Sequence, residues 1–324
     1  MGLSVSVAMC THNGEAFVER QLESILRSNR VPEQIVVSDD ASTDSTRTIV
    51  DRVTGRYPSV DVILLDNQTP LGVTANFEQA IGACKGDVIA LSDQDDEWHP
   101  DRLARVIPLF DASPSLSLIF SNARLVDAAG VPIGYSLFDA LYVTPRDLEE
   151  LHDDRAFSRL LRRNLVTGAT TAFRRSLLSA ALPIPYPWLH DEWLAVIAAS
   201  LGAVGVVEED LVDYRQHGSN EIGARRPTLR HKLGRLVGPR ADRNQLLARR
   251  FGVLAERLAS LPTTSPADLQ RTSTKSAFES ARAALPSARL SRIPQIVGFA
   301  RKSWYRDYSS QGSLDMARDL LQAP

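Results

Sequence analysis

Long apolar runs are missing from this sequence. No stretch approaches the roughly 20 residues that a membrane-spanning helix needs, so an integral membrane protein is not expected. Cysteine is nearly absent: Cys10 and Cys84 fall inside apolar patterns, without Cys-x-x-Cys or Cys/His spacing, and both read as reduced core residues. A basic leader is also missing ahead of the strand-like "LSVSVAMC" that begins at residue 3, so no signal peptide is read and a cytoplasmic location is expected.

What is present is ordinary globular composition with an uneven charge. The chain of 324 residues is long enough for one large domain, or one domain with an appendage. Its formal net charge of -2 hides a division: 18 Lys/Arg against 32 Asp/Glu up to residue 224, then 19 against 7 from 225 to 324. Such a basic tail either meets something anionic or is a helical appendage packed on the acidic body.

The first hundred residues alternate strand and helix patterns. Short apolar strands, "VSVAMC", "QIVVSDD", "VDVILLD" and "DVIALSD", are separated by segments of helical periodicity, the first beginning at Glu15 with Phe17, Val18, Leu22, Ile25 and Leu26 on one face. This order predicts a mostly parallel sheet with helices on both faces, and such sheets bind ligands beyond the carboxyl ends of their strands. Those ends carry "THNG", "SDDASTD" and "SDQDDEW". Further on, "LSLIFSNARLVDAAGVPIG" reads as a hairpin around Ala129-Gly130. "NLVTGATTAFRRSLLSAALPIP" reads as strand, turn and helix, "HDEWLAVIAASLG" as a helix, and "VGVVEEDLVDYRQHG" as a strand pair. "LPTTSPADLQRTSTKS" (261–276) reads as a turn or loop in an Arg-rich helical region.

"VIALSDQDDEW", residues 88–98, is where the pattern turns to chemistry. Asp93, Asp95, Asp96 and Glu97 lie within five residues and repel one another unless a positive charge sits among them. Asp93-Gln94-Asp95 at a strand end suits a hard divalent cation, which takes one or two carboxylates and leaves positions for phosphate oxygens. A solvated acidic turn gives the same pattern. An EF-hand is excluded, since Trp98 and Ala104 occupy its glycine and final carboxylate positions. In "SDDASTD", Asp39 and Asp40 suit the donors of a base or ribose, while Asp40, Ser42 and Asp44 equally suit a helix cap.

Together "VAMCTHNGEAFVERQLESI", "VVSDDASTDST", "LGVTANFEQAI" and "ALSDQDDEW" resemble, in order and spacing, the nucleotide-binding half of family 2 glycosyltransferases. With "HDEWLA" and "YRQHGSNEIGA" downstream, the pattern is similar to the bacterial rhamnosyltransferases of that family. The resemblance covers roughly residues 3–224. It implies an α/β chain of GT-A fold: a Rossmann-like, mostly parallel central sheet with helices on both faces, spanning 1–224, with a nucleotide-sugar half (1–100) and an acceptor half (101–224). A basic, mainly helical extension (225–324) completes the chain. The implied activity is metal-dependent transfer of a sugar with inversion at the anomeric carbon, in cell-surface polysaccharide synthesis. The donor implied is a nucleotide sugar, dTDP-rhamnose first, and the acceptor a glycan or a lipid-linked sugar.

By motif, the resemblance sets Thr11, Asn13, Asp39 and Asp40 at the donor, Asp40 against its base, and Asp93 near the ribose. Asp95 becomes the principal ligand of Mg²⁺ or Mn²⁺, with His217 as a further ligand, and Arg215 meets phosphate. Asp191 in "HDEW" takes the place of the catalytic base, which an inverting displacement needs to remove the acceptor proton. Gly168 in "VTGATT" allows either a close backbone approach to the donor or a tight turn, and Trp98 and Trp193 read as packing residues. Two positions depart from the pattern: His12 stands where a Tyr is usual and Asn122 where an acid is expected.

Two other classes fit less well. A sugar-nucleotide pyrophosphorylase needs a Gly-rich, basic N-terminal motif that "CTHNGE" lacks, and a non-catalytic binding subunit would lack the base. The tail from 225 to 257 sets Leu229, Leu233, Leu236 and Val237 among ten Arg and Lys, a pattern that suits peripheral attachment to the inner face of the plasma membrane. Nucleic acid is not expected as a partner, because the acidic body repels it and no recognition motif is present.

Overall fold

The computed structural model describes residues 2–153, 155–217 and 243–322. The chain divides into two compact units. The first is built from 2–153, 165–184 and 189–217, and the second from 155–164, 185–188 and 243–322.

The first unit is one nine-stranded sheet. Its opening run is β1 (Val5–Thr11), α1 (Val18–Leu26), β2 (Gln34–Asp39), α2 (Thr46–Thr54), β3 (Asp61–Asp66), α3 (Val73–Ala83) and β4 (Val88–Ser92). Then come β5 (Glu97–Trp98), α4 (Arg102–Ala112), β6 (Leu116–Asp127), β7 (Pro132–Ser136), β8 (Thr171–Arg174) and β9 (Ala203–Gln216). The strand order is β3-β2-β1-β4-β8-β6-β9-β5, with β7 beside β6. β1 to β4 are mutually parallel, whereas β8 runs antiparallel to both β4 and β6. The chain steps outward from β1 to β3 and then returns to the other side of β1, so strand order reverses between β1 and β4. A ligand crevice opens at such a switch point.

The alternation of side chains along each strand builds the two faces. Val5, Val7, Met9, Ile35 and Val37 join Val18, Leu22 and Ile25 of α1 and Val50 and Val53 of α2 in one buried cluster. Ser38, of opposite parity, faces α3 and bonds Asn76 Oδ1 at 2.6 Å. Burying one such aliphatic side chain contributes about 1.5–3 kcal/mol, so the register of the sheet is strongly determined.

Several expectations are corrected here. The first helix starts at Val18, and Phe17 stands before it. The segment expected to open with a strand at 164 instead makes a 3-10 turn, Gly168–Thr170, ahead of β8. β9 is one continuous strand, not a pair, because exposed Glu208 and Glu209 form a bulge where the pairing with β6 shifts from Ser121–Val207 to Asn122–Asp210. Cys84 is buried, but Cys10 is only partly so.

The second unit is helical: Ala156–Arg162, Arg243–Ser260, Pro266–Ala283, Arg289–Arg301, Trp304–Tyr308 and Ser313–Leu321. The loop expected across 261–276 is short, because Ser265 accepts a bond from the Asp268 amide and Pro266 takes the first helical position, a strong start signal. Phe278, Leu285, Ile296, Phe299 and Tyr305 form its core. Part of the basic composition is internal. Arg282, 1% exposed, donates to Asp319 through Nε (2.6 Å) and Nη2 (3.0 Å) and to Glu279 through Nη1 (2.9 Å). Arg292 holds the carbonyls of Pro286, Ser287 and Asp319, and Lys275 donates to Glu279. The stretch 225–242, with its apolar Leu229, Leu233, Leu236 and Val237, lies outside the described residues. Arg249, further along the expected tail, is exposed.

Candidate active site

The rim at the switch point is built by side chains that continue the sheet beyond its strands. Thr11 stands opposite Asp39 in the β1–β2 register, and its hydroxyl donates to Asp39 Oδ2 at 2.7 Å. Ser42 donates to the same carboxylate through its amide (2.8 Å) and its hydroxyl (2.6 Å), so Asp39, fully buried, folds the loop after β2. Asp40 accepts the amides of Leu71 and Gly72, at 2.6 and 2.9 Å, and so caps the entry to α3. Asp44 accepts from the Thr46 amide at 3.0 Å and serves α2. Asn13 sits at φ 48°, a conformation Asn tolerates, and accepts the Thr43 amide at 2.9 Å. His12 donates through Nδ1 to the Asp40 carbonyl at 2.7 Å, and Asn122 accepts the Phe138 amide.

Gln94, the middle residue of the acidic stretch, was not singled out from sequence. Its carboxamide pairs with the peptide of His12: Oε1 accepts the His12 amide at 2.8 Å and Nε2 donates to the His12 carbonyl at 2.9 Å. A Cβ on Gly14 would stand 2.1 Å from Gln94 Oε1, so this pairing requires glycine there. The end of β4 is thereby tied to the end of β1.

The charge that the four carboxylates need comes partly from the chain itself. Arg215 is 1% exposed; its Nε donates to the Asp95 carbonyl (2.8 Å), Nη2 to Glu97 (2.5 Å) and Nη1 to the carbonyls of Asp127 and Ala128 (3.3 Å each). Its backbone amide donates to Asp96 at 2.9 Å. The guanidinium expected to meet phosphate therefore lies inside, clamping the acidic segment. Arg102, the first residue of α4, is 2% exposed and lies over the Trp98 ring at 3.9 Å. Burial lowers its pKa to about 9, against the pull of Asp96 and Asp93. A cation in the first turn of a helix opposes the dipole, and that anomaly was the one signal in the sequence.

What remains directed into the crevice is a smaller set. Burial, together with the charges of Asp95 and Asp191, raises the Asp93 pKa to about 7, so carboxylates from two distant segments act on the same group. Burial, Asp95 and Asp93 also raise Asp96. His217 Nε2 lies 2.8 Å from Asp95 Oδ2, the pair being 12% and 14% exposed, and the His217 ring stacks on Phe17 at 4.8 Å. Asp191, in the first turn of helix His190–Leu201, accepts the Gly168 amide at 3.0 Å. A Cβ on Gly168 would stand 2.9 Å from His190 Nε2, so packing against that ring leaves no room for a side chain at this position. His190 is buried, stacks on Phe77 at 3.9 Å, and neither ring nitrogen has a hydrogen-bond partner. Trp193 is fully buried and donates to the Ala181 carbonyl, a packing residue as read.

Of the residues singled out from sequence, Asp93, Asp95, Asp191 and His217 are thus brought together, while Thr11, Asn13, Asp39, Asp40, Gly168 and Arg215 build the rim around them. No group of three or more His, Cys, Asp or Glu side chains is gathered for a metal among the described residues. A two-donor set, one carboxylate oxygen beside one imidazole nitrogen, suits a divalent cation that keeps its other positions for water and phosphate.

The family model for glycosyl transferase family 2 matches residues 6–179, more than half of the chain. The chain belongs to glycosyl transferase family 2. Among the relatives of this family 2 chain, an uncharacterized protein of Mycobacterium tuberculosis is 27% identical over 218 residues, covering 66% of this chain and 59% of that protein. The chain therefore spans about three fifths of the length of that relative. The dTDP-rhamnosyl transferase RfbG of Shigella flexneri is 36% identical over 119 residues, covering 36% of this chain and 38% of its own. In structure, the family 2 chain is similar to the mannosyltransferase of Pyrobaculum calidifontis solved with GDP-Man and Mn²⁺. The TM-score is 0.52 at 18% identity, covering 98% of this chain and 86% of that one. This likeness bears on the fold, which is GT-A as the resemblance implied.

Proposed function

We propose that the chain is an inverting, metal-dependent glycosyltransferase that moves a hexose, L-rhamnose from dTDP-rhamnose in the first instance, to a glycan or lipid-linked acceptor in cell-surface polysaccharide synthesis. The observation that carries this reading is the pairing of Asp95 with His217 at the strand-order switch, where the charges of Asp95 and Asp191 also act on Asp93. Membership of the family supports the reaction class, and the partial likeness to RfbG supports the sugar.

Asp95 and His217 would hold Mg²⁺ or Mn²⁺, which when bound supplies positive charge for a diphosphate leaving group. Asp93 lies beside the donor's ribose. Asp191, oriented by the Gly168 amide, takes the acceptor hydroxyl's proton. The freed oxygen pair bonds the anomeric carbon, and the bond to the diphosphate oxygen breaks with its electrons on the nucleotide, inverting the centre. The protein works on the cytoplasmic side, where nucleotide sugars are made.

The test is slow donor hydrolysis, which needs no known acceptor. Purified protein is incubated with dTDP-rhamnose, UDP-glucose, UDP-galactose and GDP-mannose, each with Mn²⁺ or EDTA. Metal-dependent release of dTDP alone is expected; release of another nucleotide keeps the mechanism and replaces the sugar. Asp191→Asn should retain nucleotide binding and lose turnover, and an active variant would remove Asp191 from the base role.

A further inference from the structure

The second unit carries an apolar surface that its own core does not use. Helix Arg289–Arg301 buries Arg292, Ile296 and Phe299 on one side. At 3.6 residues per turn, Leu290, Ile293, Pro294 and Val297 fall on the opposite side. Leu290 is 80% exposed, Ile293 42% and Val297 40%. A surface helix is ordinarily polar where it faces solvent, so this helix is apolar on both faces.

Its charges are of one sign. No Asp or Glu occurs from residue 280 to 306. Arg289 and Arg301 mark the two ends of the apolar stripe, and both are exposed, as are Lys302 and Arg306. Lys302 Nζ lies over the partly buried Trp304 ring at 4.7 Å. Apolar side chains flanked by cations whose long stems reach sideways match the boundary between acyl chains and anionic headgroups. A protein partner would more commonly be met by aromatic anchors within a polar rim, and this stripe carries no aromatic side chain.

We propose that helix Arg289–Arg301 is a docking surface for an anionic lipid bilayer. Leu290, Ile293 and Val297 enter the acyl boundary, and Arg289, Arg301 and Lys302 meet the headgroups. Among the described residues no helix is long and apolar enough to cross a membrane, so the attachment is peripheral. The site is distinct from the 225–257 segment that the sequence pattern favours.

The full chain is floated with phosphatidylcholine vesicles, with and without phosphatidylglycerol, in low salt and without any sugar donor. Failure here therefore leaves the proposed transferase activity standing. The protein should float only with phosphatidylglycerol. Leu290→Ser/Ile293→Ser/Val297→Ser should lower partitioning at least about tenfold with an unchanged melting curve, since these side chains are exposed. Arg301→Glu/Lys302→Glu should lower it further than the about fivefold expected per cation removed, because each change also adds a repelling charge. If the triple variant melts early, Leu290→Ser alone carries the test. Wild-type protein that does not float, variants that float equally well, or a wild-type dimer that the triple variant dissociates would each overturn the proposal.

Discussion

Adding a single methyl group at Gly168 should separate turnover from donor binding. The new Cβ would stand 2.9 Å from His190 Nε2 and 3.6 Å from Asp191 Cβ. The first distance is about 0.6 Å short of an ordinary contact. His190 has no room to retreat, because its ring is stacked on Phe77 at 3.9 Å. The turn must therefore shift, and with it the Gly168 amide that holds Asp191 at 3.0 Å. Overpacking of this kind costs about 1–3 kcal/mol of stability. With Asp191 as the proposed base, a displacement of about half an ångström should cost roughly tenfold in kcat, given about a hundredfold for a full ångström. The assay is the steady-state rate of donor hydrolysis by Gly168→Ala, with nucleotide affinity measured by calorimetry. A tenfold fall in kcat at unchanged affinity is expected. In a His190→Ala background the same substitution should cost much less, because the clash partner is gone. Unchanged kcat, or an equal penalty in both backgrounds, would refute the reasoning; a selective loss of donor affinity would instead support the donor-approach role for this glycine.

Asp95→Asn and His217→Ala should each weaken Mn²⁺-dependent nucleotide binding by tenfold or more, while leaving metal-free melting within about 1 kcal/mol; calorimetry with and without EDTA checks this. Burial holds the His190 imidazole down to about 3, below its ordinary 6.5. Its contribution to stability is present above pH 6.5 and is lost as pH falls toward 3. The difference between wild type and His190→Phe should accordingly change by about 1.4 kcal/mol per pH unit in that window, read by urea melts across pH. In the helical unit, Asp319→Ala leaves the Arg282 guanidinium buried beside an empty position. A loss of about 3–5 kcal/mol is expected in thermal unfolding, and a loss under about 1 kcal/mol would mean that water satisfies it.

How far the sequence could be read depended on the range of the interactions involved. The alternation of β1 through β4 with α1 to α3 was legible because each element declares itself within a dozen residues. The continuous β9 was not, because Glu208-Glu209 has the composition of a turn and only pairing with β6 shows it to be a bulge. The helix from Pro266 carried its start signal in Ser265, Pro266 and Asp268, but the surrounding Thr and Ser outweighed it. In the site, the carboxylates were visible as a cluster, whereas the cations that offset them were not: Arg215 lies about 120 residues downstream, and only topology brings it back. Asp39 and Asp40 show the complementary difficulty, since acids suited to a ligand and acids that fold a rim have the same spelling.

The bulge in β9 gives the sheet a place for slack. Upstream of Arg215, extra residues are absorbed twice, two at Glu208 and Glu209 and one between Asp210 and Asp213, without disturbing the pairing from Asp213 onward. Downstream, Arg124 grips Asp213 through two bonds of 2.7 and 2.5 Å and fixes the pairing of Tyr214 and Arg215 with Leu125 and Val126. An inserted or deleted residue between 213 and 216 would reverse the alternation, turning Arg215 toward solvent and carrying His217 away from Asp95. Length variation in this strand is thus tolerable at these joints and ruinous just beyond them, so the position of His217 beside Asp95 is protected by where the strand is permitted to be irregular.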